Sequence, residues 1–332
     1  GTNNIPVDKA TEKGIVVFNT PGANANAVKE AVLASILLSA RDYIAANTWV
    51  NKLSGDDVPK QIEAGKKQFA GSEIAGKTLG VIGLGAIGVR IANDAYRLGM
   101  KVYGYDPYVS IEAAWNISHH VKRVSDLKEI FENCDYITVH VPLTPDTKGT
   151  FNADAFSLMQ KGTTIINFAR AELVENDALF DALETGVVKR YITDFGTEEL
   201  LNKPNVTVFP HVGGSTSEAE LNCAIMAAQT IRRFMETGEI VNSVNFPRVQ
   251  QVLSAPYRIT LINKNVPNIV ARISTAVSDF NINIDNIINR SKGEYAYTLL
   301  DLDETDKSKI DELVAKFEAS DNIVRVRLIK GK

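Results

Sequence analysis

The feature that most constrains the fold is a short apolar run that leads directly into a glycine-rich turn. Residues 78–82 have the length and character of a buried strand, and Gly83, Gly85 and Gly88 follow in the spacing G-x-G-x-x-G. Glycine permits a tight turn at the first position, close approach of a pyrophosphate at the second, and close helix–strand packing at the third. The segment therefore predicts a parallel α/β fold that binds a dinucleotide where a helix begins.

The alternation of strand and helix continues from Lys77 to about Pro210, which is typical of βαβ units in a parallel sheet. It contains six apolar runs, at residues 78–82, 101–105, 135–141, 163–168, 189–193 and 206–209. We therefore predict a doubly wound, Rossmann-type domain over residues 23–212. Residues 26–47 are apolar almost all round, so we expect a long helix that is buried within the fold or between subunits.

The segments on either side of this domain show other patterns. Residues 14–20 form a β-branched run before Pro21-Gly22 and predict a strand. A capping box at Ser215–Glu218 predicts the start of a long amphipathic helix. After a linker at residues 248–256, we expect a βαββαβ order of ferredoxin-like type over residues 257–332. Its elements are a strand (257–262), a helix (267–280), a hairpin (284–302), a helix (306–319) and a strand (323–328).

Composition excludes several classes of protein. Thirty-six Lys and Arg against 40 Asp and Glu give a net charge of −4, so no basic field exists to hold nucleic acid or an anionic membrane. Cys134 and Cys223 match neither a disulfide framework nor a metal cluster, so we expect no metal site and a cytoplasmic location. The chain begins with Gly1 rather than Met, and we expect it to be part of a longer protein.

Several residues are candidates for holding the dinucleotide. Ala86 and Ile87 lie between the glycines and offer backbone N–H groups to the pyrophosphate. Asp106 ends the second strand, 18 residues after Gly88, where an acidic group binds the ribose hydroxyls. Because Pro107-Tyr108 supplies no Arg for a 2′-phosphate, we expect NAD rather than NADP.

The candidates for chemistry also follow predicted strands, where open α/β sheets place their ligands. Arg170 has a planar fork suited to a substrate carboxylate, or else it is a surface residue that caps a helix. Asp194 could receive the carboxamide of the cofactor. His211 is the best general acid/base among the four histidines, and either Glu198 or Glu199 could orient its imidazole.

Together these residues resemble the D-2-hydroxyacid dehydrogenase family, and within it the branch that oxidises 3-phosphoglycerate and carries a C-terminal ACT domain. The resemblance covers essentially the whole chain. It rests on the segments Gly1–Ile5, Asn19–Gly22, Gly83–Gly88, His140–Leu143, Asn167–Arg170, Pro210–Gly214 and Val244–Pro247. It implies that residues 1–22 are the remnant of a substrate domain, to which residues 213–247 return.

The resemblance also implies roles for individual residues. Arg170 holds the substrate carboxylate, His211 is the acid/base, Glu198 tunes it, and Asp106 binds the adenosine ribose. Asp194 and the segment His211–Ser215, which includes Gly213 and Gly214, surround the nicotinamide. Phe168, Ala169 and Arg170 are further cofactor-binding residues. The chain departs from the family at Ala171, where Gly is usual, and in the loop after Asp194, which is one residue short.

In the ACT-like segment the resemblance implies an amino-acid effector, serine, bound across a dimer by Asn263, Asn265 and Asn283. Asn268 stands where the family has Gly. The alternative is a purely structural dimerisation module.

The leading hypothesis is therefore an NAD-dependent enzyme that oxidises 3-phosphoglycerate to 3-phosphohydroxypyruvate in serine synthesis, as a homodimer or larger homo-oligomer. One alternative keeps the chemistry with another small 2-hydroxy acid. Two further alternatives are an NAD-responsive interaction protein and an amino-acid sensor whose dehydrogenase part is inactive.

Overall fold

The computed structural model describes residues 4–331. These residues form two compact units. One unit is Asn24–Glu220, and the other combines the chain up to Ala23 with the chain from Leu221 onward. In the described part of the chain, no helix has the length and apolar character needed to cross a membrane.

The Asn24–Glu220 unit is built on a seven-stranded parallel sheet, which confirms the predicted Rossmann-type fold. The order is β3-β2-β1-β4-β5-β6-β7. The strands are β1 (Thr78–Ile82), β2 (Lys101–Tyr105), β3 (Lys122–Arg123), β4 (Tyr136–Val139), β5 (Thr163–Asn167), β6 (Val188–Thr193) and β7 (Val206–Val208). Six of them match the predicted apolar runs. The sequence did not predict β3, because its two residues are exposed and basic.

Helices cover both faces of this sheet. The helices of this unit are α2 (Ala25–Arg41), α3 (Tyr43–Val50), α4 (Val58–Gly65), α5 (Gly88–Arg97), α6 (Ile111–Asn116), α7 (Leu127–Asn133), α8 (Ala153–Ser157) and α9 (Asn176–Glu184), after a short α1 (Val7–Glu12) in the other unit. One hydrophobic core contains α2 and α5, and a second contains α7, α8 and α9. The strands between them, such as β4, are therefore buried on both sides.

The prediction of one helix over residues 26–47 is wrong, because the helix is interrupted at Asp42. Asp42 has φ of 41°, in the left-handed region. Its carboxylate accepts two hydrogen bonds from the Arg190 guanidinium, at 3.1 and 2.9 Å. Those bonds hold the pKa of Asp42 below its ordinary value. A residue that leaves the helical region ends α2, and α3 starts immediately after it.

The second unit contains a four-stranded antiparallel sheet with the predicted βαββαβ order. Its elements are β8 (Tyr257–Lys264), α11 (Ile269–Asp279), β9 (Asn283–Lys292), β10 (Tyr295–Asp303), α12 (Lys307–Glu318) and β11 (Ile323–Lys330), in the sheet order β11-β8-β10-β9. Asn268, just before α11, has φ of 64°. Asn tolerates this backbone conformation better than most side chains do, which explains a residue other than Gly there.

The expected strand over residues 14–20 is absent from the described structure. Only an isolated bridge joins Phe18 to Ser243. The Asn245 side chain takes the place of a strand partner, because its Oδ1 accepts from Val17 N at 2.9 Å and its Nδ2 donates to Ile15 O at 2.9 Å. Side-chain hydrogen bonds thus satisfy backbone groups that a regular ladder would pair.

Helix α10 (Ser217–Thr237) begins with a different cap from the one predicted. Its first turn is capped by Thr216, whose Oγ1 accepts from Ala219 N at 3.1 Å, rather than by Ser215. At its end, Tyr297 Oη donates to Gly238 O at 2.6 Å, and burial raises the pKa of Tyr297 to about 12. The four-stranded sheet therefore supplies side chains that bind carbonyls at the C-terminal end of the helix.

A buried ion pair lies in the same part of this unit. The Arg258 guanidinium donates to both Asp301 oxygens at 2.5 and 2.7 Å, and both side chains are fully buried. Its remaining N–H groups donate to the carbonyls of Thr237, Gln251 and Val252 at 2.8 to 3.1 Å. All five donors of this arginine are used.

Candidate active site

The three glycines of the turn after β1 are required for different reasons. Gly83 has φ of 90°, and a Cβ there would lie 2.6 Å from His140 O. A Cβ on Gly88 would overlap Gly83 O, whereas a Cβ on Gly85 would meet no atom within 4 Å. Gly83 and Gly88 are therefore needed by the protein itself. Gly85 faces open space, as expected where a ligand approaches the backbone.

Asp106 lies beside this turn, as the sequence predicts. Its Oδ2 accepts a hydrogen bond from Leu84 N at 2.8 Å, and its Oδ1 accepts one from Tyr108 N at 2.8 Å. The carboxylate is thus held at the end of β2 next to the glycine turn, in the position expected for binding ribose hydroxyls.

Arg170 is presented by a turn that Asn167 organises. Asn167 is fully buried at the end of β5. Its Oδ1 accepts from Ala169 N and Arg170 N at 3.1 and 3.3 Å, and its Nδ2 donates to Arg170 O at 2.7 Å. Tyr191 Oη also accepts from Nδ2, at 3.2 Å. These bonds fix the backbone around Arg170, whose side chain is exposed.

Asp194 is a buried carboxylate at the end of β6. It is 3% exposed, and its Oδ2 accepts from Gly213 N at 3.1 Å. Burial raises the pKa of Asp194, an effect opposed by the Gly213 N–H and by the nearby charges of His211 and Arg170. In the described structure its Oδ1 is buried and has no hydrogen-bond partner. A buried acceptor of this kind suits a ligand that donates an N–H.

Phe195 lies near both candidate catalytic side chains, Arg170 and His211. Its ring centroid is 4.6 Å from that of His211 and 5.9 Å from Arg170 Cζ. Asp194, Phe195 and His211 line an open cavity of about 480 Å³, together with Leu201 and Phe209. The structure thus brings together Arg170, Asp194 and His211 at the edge where β5, β6 and β7 end.

The glutamates after Asp194 are not joined to this group. Glu198 and Glu199 are exposed on a short 3₁₀ helix, Glu198–Leu200. Glu199 Oε2 accepts from Asn176 Nδ2 at 2.7 Å. Across residues 4–331, neither glutamate forms an ion pair or hydrogen bond with His211. The assignment of Glu198 as the partner of His211 stays a prediction.

The three candidate effector residues do not come together within one chain. Asn263 is fully buried, and its Oδ1 accepts from Thr298 Oγ1 at 2.9 Å. Asn265 Nδ2 donates to Gly293 O at 3.2 Å. Asn283 pairs with Asp303 and Asn263 pairs with Ala296, at opposite ends of β10. A shared site would therefore need two copies of the chain.

Sequence reasoning did not assign roles to Asn167 and Phe195. The signal for Asn167 was a polar residue at the end of a continuous apolar strand, where a buried amide must bind the backbone. Nothing in the sequence places Phe195 near Arg170 and His211, because that contact depends on how the loops after β5, β6 and β7 meet.

The site fits a nicotinamide dinucleotide at several points. The space next to Gly85 suits a pyrophosphate, and Asp106 lies where ribose hydroxyls bind. Asp194 Oδ1 offers the acceptor that a carboxamide needs. Phe168, Ala169, Gly213 and Gly214 lie next to these residues along the chain. Across the described residues, no group of three His, Cys, Asp or Glu side chains could hold a metal ion.

Sequence comparison identifies the family. The profile of the D-isomer specific 2-hydroxyacid dehydrogenase, NAD binding domain, matches residues 33–213. The D-3-phosphoglycerate dehydrogenase of Methanocaldococcus jannaschii is 36% identical over 82% of this chain and 51% of its own length. D-3-phosphoglycerate dehydrogenase 1 of Saccharomyces cerevisiae is 31% identical over 99% of this chain and 72% of its own length. The chain thus spans about half of one relative and more of the other.

Solved structures agree with the sequence comparison. The holo form of Rhodotorula graminis D-mandelate dehydrogenase matches 76% of this chain, with a TM-score of 0.64 and 25% identity. The NAD⁺-bound 3-phosphoglycerate dehydrogenase of Entamoeba histolytica matches 74% of the chain and 72% of its own length, with a TM-score of 0.57 and 29% identity. The prediction of NAD as cofactor is confirmed, and the chain belongs to the D-isomer specific 2-hydroxyacid dehydrogenase family.

Proposed function

We propose that the protein oxidises 3-phosphoglycerate at C2 to 3-phosphohydroxypyruvate, with NAD as the oxidant. The observation that carries the proposal is that Asp194 and His211 line one cavity at the carboxyl ends of β6 and β7, with the charge of Arg170 close to Asp194. A carboxylate anchor, a cofactor-orienting acid and a titratable imidazole are the groups that a 2-hydroxyacid dehydrogenase needs.

Arg170 and His211 have different roles toward the substrate. The Arg170 guanidinium binds the substrate carboxylate through two parallel hydrogen bonds. The Phe195 ring lies near both side chains, with its centroid 5.9 Å from Arg170 Cζ and 4.6 Å from the His211 ring centroid. His211 then removes the proton from the C2 hydroxyl as the C2–H bond breaks and the carbonyl forms.

Asp194 orients the cofactor. Its Oδ1 accepts from the carboxamide N–H group, while Gly213 N holds the other oxygen in place. When bound, NAD accepts the hydride from C2. The nearby charges of His211 and Arg170 favour the ionised form of Asp194, which burial disfavours.

The substrate is inferred from the relatives. Two of them are named D-3-phosphoglycerate dehydrogenases and match most of this chain. The alternative is another small 2-hydroxy acid, which is favoured by the similarity to D-mandelate dehydrogenase.

A substrate panel separates these functions. NADH formation is measured with 3-phosphoglycerate, D-glycerate, D-lactate and D-mandelate. We expect kcat/KM to be highest for 3-phosphoglycerate, and D-glycerate is the matched control because it lacks only the phosphate. Equal or higher kcat/KM for another acid would replace the substrate assignment. NADH binding without turnover on any acid would favour the inactive sensor.

Arg170→Lys tests the anchor in the same assay. We expect it to lose most of kcat/KM, because a point-like ammonium cannot form two parallel hydrogen bonds to a carboxylate. An unchanged kcat/KM would make Arg170 a surface residue.

For the C-terminal sheet we propose an ACT-type role in which serine binds between two copies of the chain. Asn265 of one copy and Asn283 of another would then share the ligand, while the buried Asn263 holds the end of β8 in place. Serine titration followed by calorimetry tests this, with Asn283→Ala as the variant expected to abolish binding. Loss of oligomers without loss of serine binding would contradict it.

A further inference from the structure

A groove of about 530 Å³ runs along the outer side of helix α5, between α2 and α6. It starts at the glycine turn, because Gly85 and Ala86 line one end of it. The groove is therefore continuous with the place where the cofactor pyrophosphate binds. Five charged side chains on its walls determine which ligand charge it favours: Lys29, Arg90, Arg97, Asp94 and Glu112.

Lys29, Asp94 and Arg97 form one ion-pair cluster. Asp94 binds Lys29 at 3.0 Å and Arg97 at 2.5 Å. Arg90 differs, since no carboxylate of residues 4–331 lies within 4 Å of its guanidinium. Glu112, the acidic residue on the α6 wall, also forms no ion pair in the described structure. The groove lining thus has three positive and two negative side chains, and Arg90 is the cation that no carboxylate of the described residues binds.

The position of Arg90 directs this charge toward the start of the helix. Arg90 lies four residues after Ala86, so the two share one face of the turn and helix α5. Long side chains on a helix lean toward its N-terminus, and one turn is about 5.4 Å, which an arginine spans. Ala86 has only a methyl group and leaves this path open. In addition, no side chain caps α5 at Ile87.

We propose that Arg90 binds the pyrophosphate of the cofactor, together with the backbone N–H groups at the start of α5. The inference rests on the NAD-binding assignment and not on the identity of the hydroxy acid. The guanidinium fork suits a phosphate oxygen pair, and the positive end of the helix dipole acts on the same anion. Arg90 is a binding residue in this proposal and takes no part in hydride or proton transfer.

Ligand fragments test the proposal without any turnover. ADP-ribose carries the pyrophosphate, and adenosine lacks it. Calorimetry with Arg90→Gln should show ADP-ribose binding about tenfold weaker than in the unmodified protein, with adenosine binding unchanged. Arg97→Gln is the matched control, because it removes the same charge from the same helix at a residue already paired with Asp94. It should leave both affinities unchanged.

A second-site variant distinguishes a phosphate contact from a general loss of structure. Ala86→Arg in the Arg90→Gln background places a guanidinium at the same anion from one turn earlier, and it should restore ADP-ribose affinity. Equal ADP-ribose affinity in Arg90→Gln and the unmodified protein would overturn the proposal, as would equal weakening by Arg97→Gln. If the unmodified protein bound neither NADH nor ADP-ribose, the NAD assignment itself would fail.

Discussion

The Asp106 carboxylate binds the backbone and is also the group expected to select NAD over NADP. Both of its oxygens already accept backbone N–H groups, from Leu84 and Tyr108, and each oxygen has further lone pairs for ribose hydroxyls. We expect NAD to bind in clear preference to NADP, since a 2′-phosphate would lie against this negative charge. Asp106→Ala should weaken NAD binding and reduce the difference in affinity between NAD and NADP. Equal calorimetric affinities of the unmodified protein for NAD and NADP would contradict this.

His211 should be the residue on which turnover depends most. We expect His211→Asn to lower kcat by about 10² to 10⁴-fold, the usual contribution of a positioned general base, while NAD affinity changes little. Steady-state kinetics and NADH fluorescence measure the two effects separately. A kcat within threefold of the unmodified enzyme would assign the base to another residue.

The partner of His211 is tested by a pair of variants. If Glu198 is the partner, Glu198→Gln should shift the pH profile of kcat/KM, because it removes a negative charge close to the imidazole. Glu199→Gln is the matched control, since Glu199 is already bound to Asn176. If Glu199→Gln alone shifts the profile, Glu199 is the partner.

His140 links the stability of the cofactor-binding unit to pH. Burial lowers its pKa to about 3, and its Nε2 forms a hydrogen bond of 2.8 Å with Thr138 Oγ1. The ring is neutral in the folded protein and has an ordinary pKa near 6.5 when unfolded, so its contribution to stability is complete above about pH 6.5 and is lost as pH falls toward 3.

We therefore expect the free energy of unfolding to fall by about 2 kcal/mol more between pH 7 and pH 5 in the unmodified protein than in His140→Gln. Urea unfolding followed by tryptophan fluorescence reports on the correct unit, because Trp49 and Trp115 both lie in Asn24–Glu220. The same pH dependence in both proteins would show that His140 is not held neutral.

Single residues were predictable from the sequence where a strand end defines their position. Asp106, Arg170 and Asp194 each follow an apolar run, and the parallel sheet brings such ends to one edge. The contact of Phe195 with His211 was not predictable, because it depends on packing between loops. The pairing of Glu198 depends on the conformation of a shortened loop, which residue spacing does not determine.

Helices and strands were predicted well where hydrophobic periodicity determines them. They were predicted poorly where the hydrogen bonds of one polar side chain determine where an element ends. The apolar runs gave six strands of the Rossmann-type sheet and the βαββαβ order. The break at Asp42 follows from a bond to Arg190, which is 148 residues away in sequence, so no local pattern indicates it. Asn245 likewise replaces a strand pairing with side-chain bonds across more than 200 residues.

The buried Arg258–Asp301 ion pair shows how one interaction can link several elements. It joins β8 to β10 and also binds the last carbonyl of α10. We expect Asp301→Ala to destabilise this unit by about 3–5 kcal/mol, because it leaves a buried guanidinium without its counter-charge. The double variant Arg258→Met/Asp301→Leu should be less destabilised than Asp301→Ala, since it buries no charge.

Hydrogen exchange of peptides from residues 257–303 measures this effect, because both tryptophans lie in the other unit. Lys316→Met is the control in the same unit: it breaks an exposed pair with Asp279 and should cost less than about 1 kcal/mol. Equal protection in Asp301→Ala and Lys316→Met would show that the buried pair contributes no more than an exposed one.

At the scale of the whole molecule, each of the two units offers a surface on which the predicted oligomer could form. Leu37, Tyr43 and Ile44 are 44%, 54% and 45% exposed at the end of α2 and the start of α3. In the other unit, β9 and β11 are edge strands whose outer backbone groups lack a strand partner in the described sheet. Apolar exposure of this kind, on segments predicted to be buried, favours a second copy of the chain as the covering surface.

We expect at least a dimer in sedimentation at micromolar concentration. Ile44→Lys should shift it toward monomer if α2 and α3 form the contact, because a charge would be buried at the centre of the interface. Ile111→Lys is the control, since Ile111 is 78% exposed and belongs to α6 rather than to α2 or α3. A dimer that survives Ile44→Lys would place the contact on the sheet edges, and it should then respond to serine through Asn265 and Asn283. A monomer in the unmodified protein would contradict both arrangements.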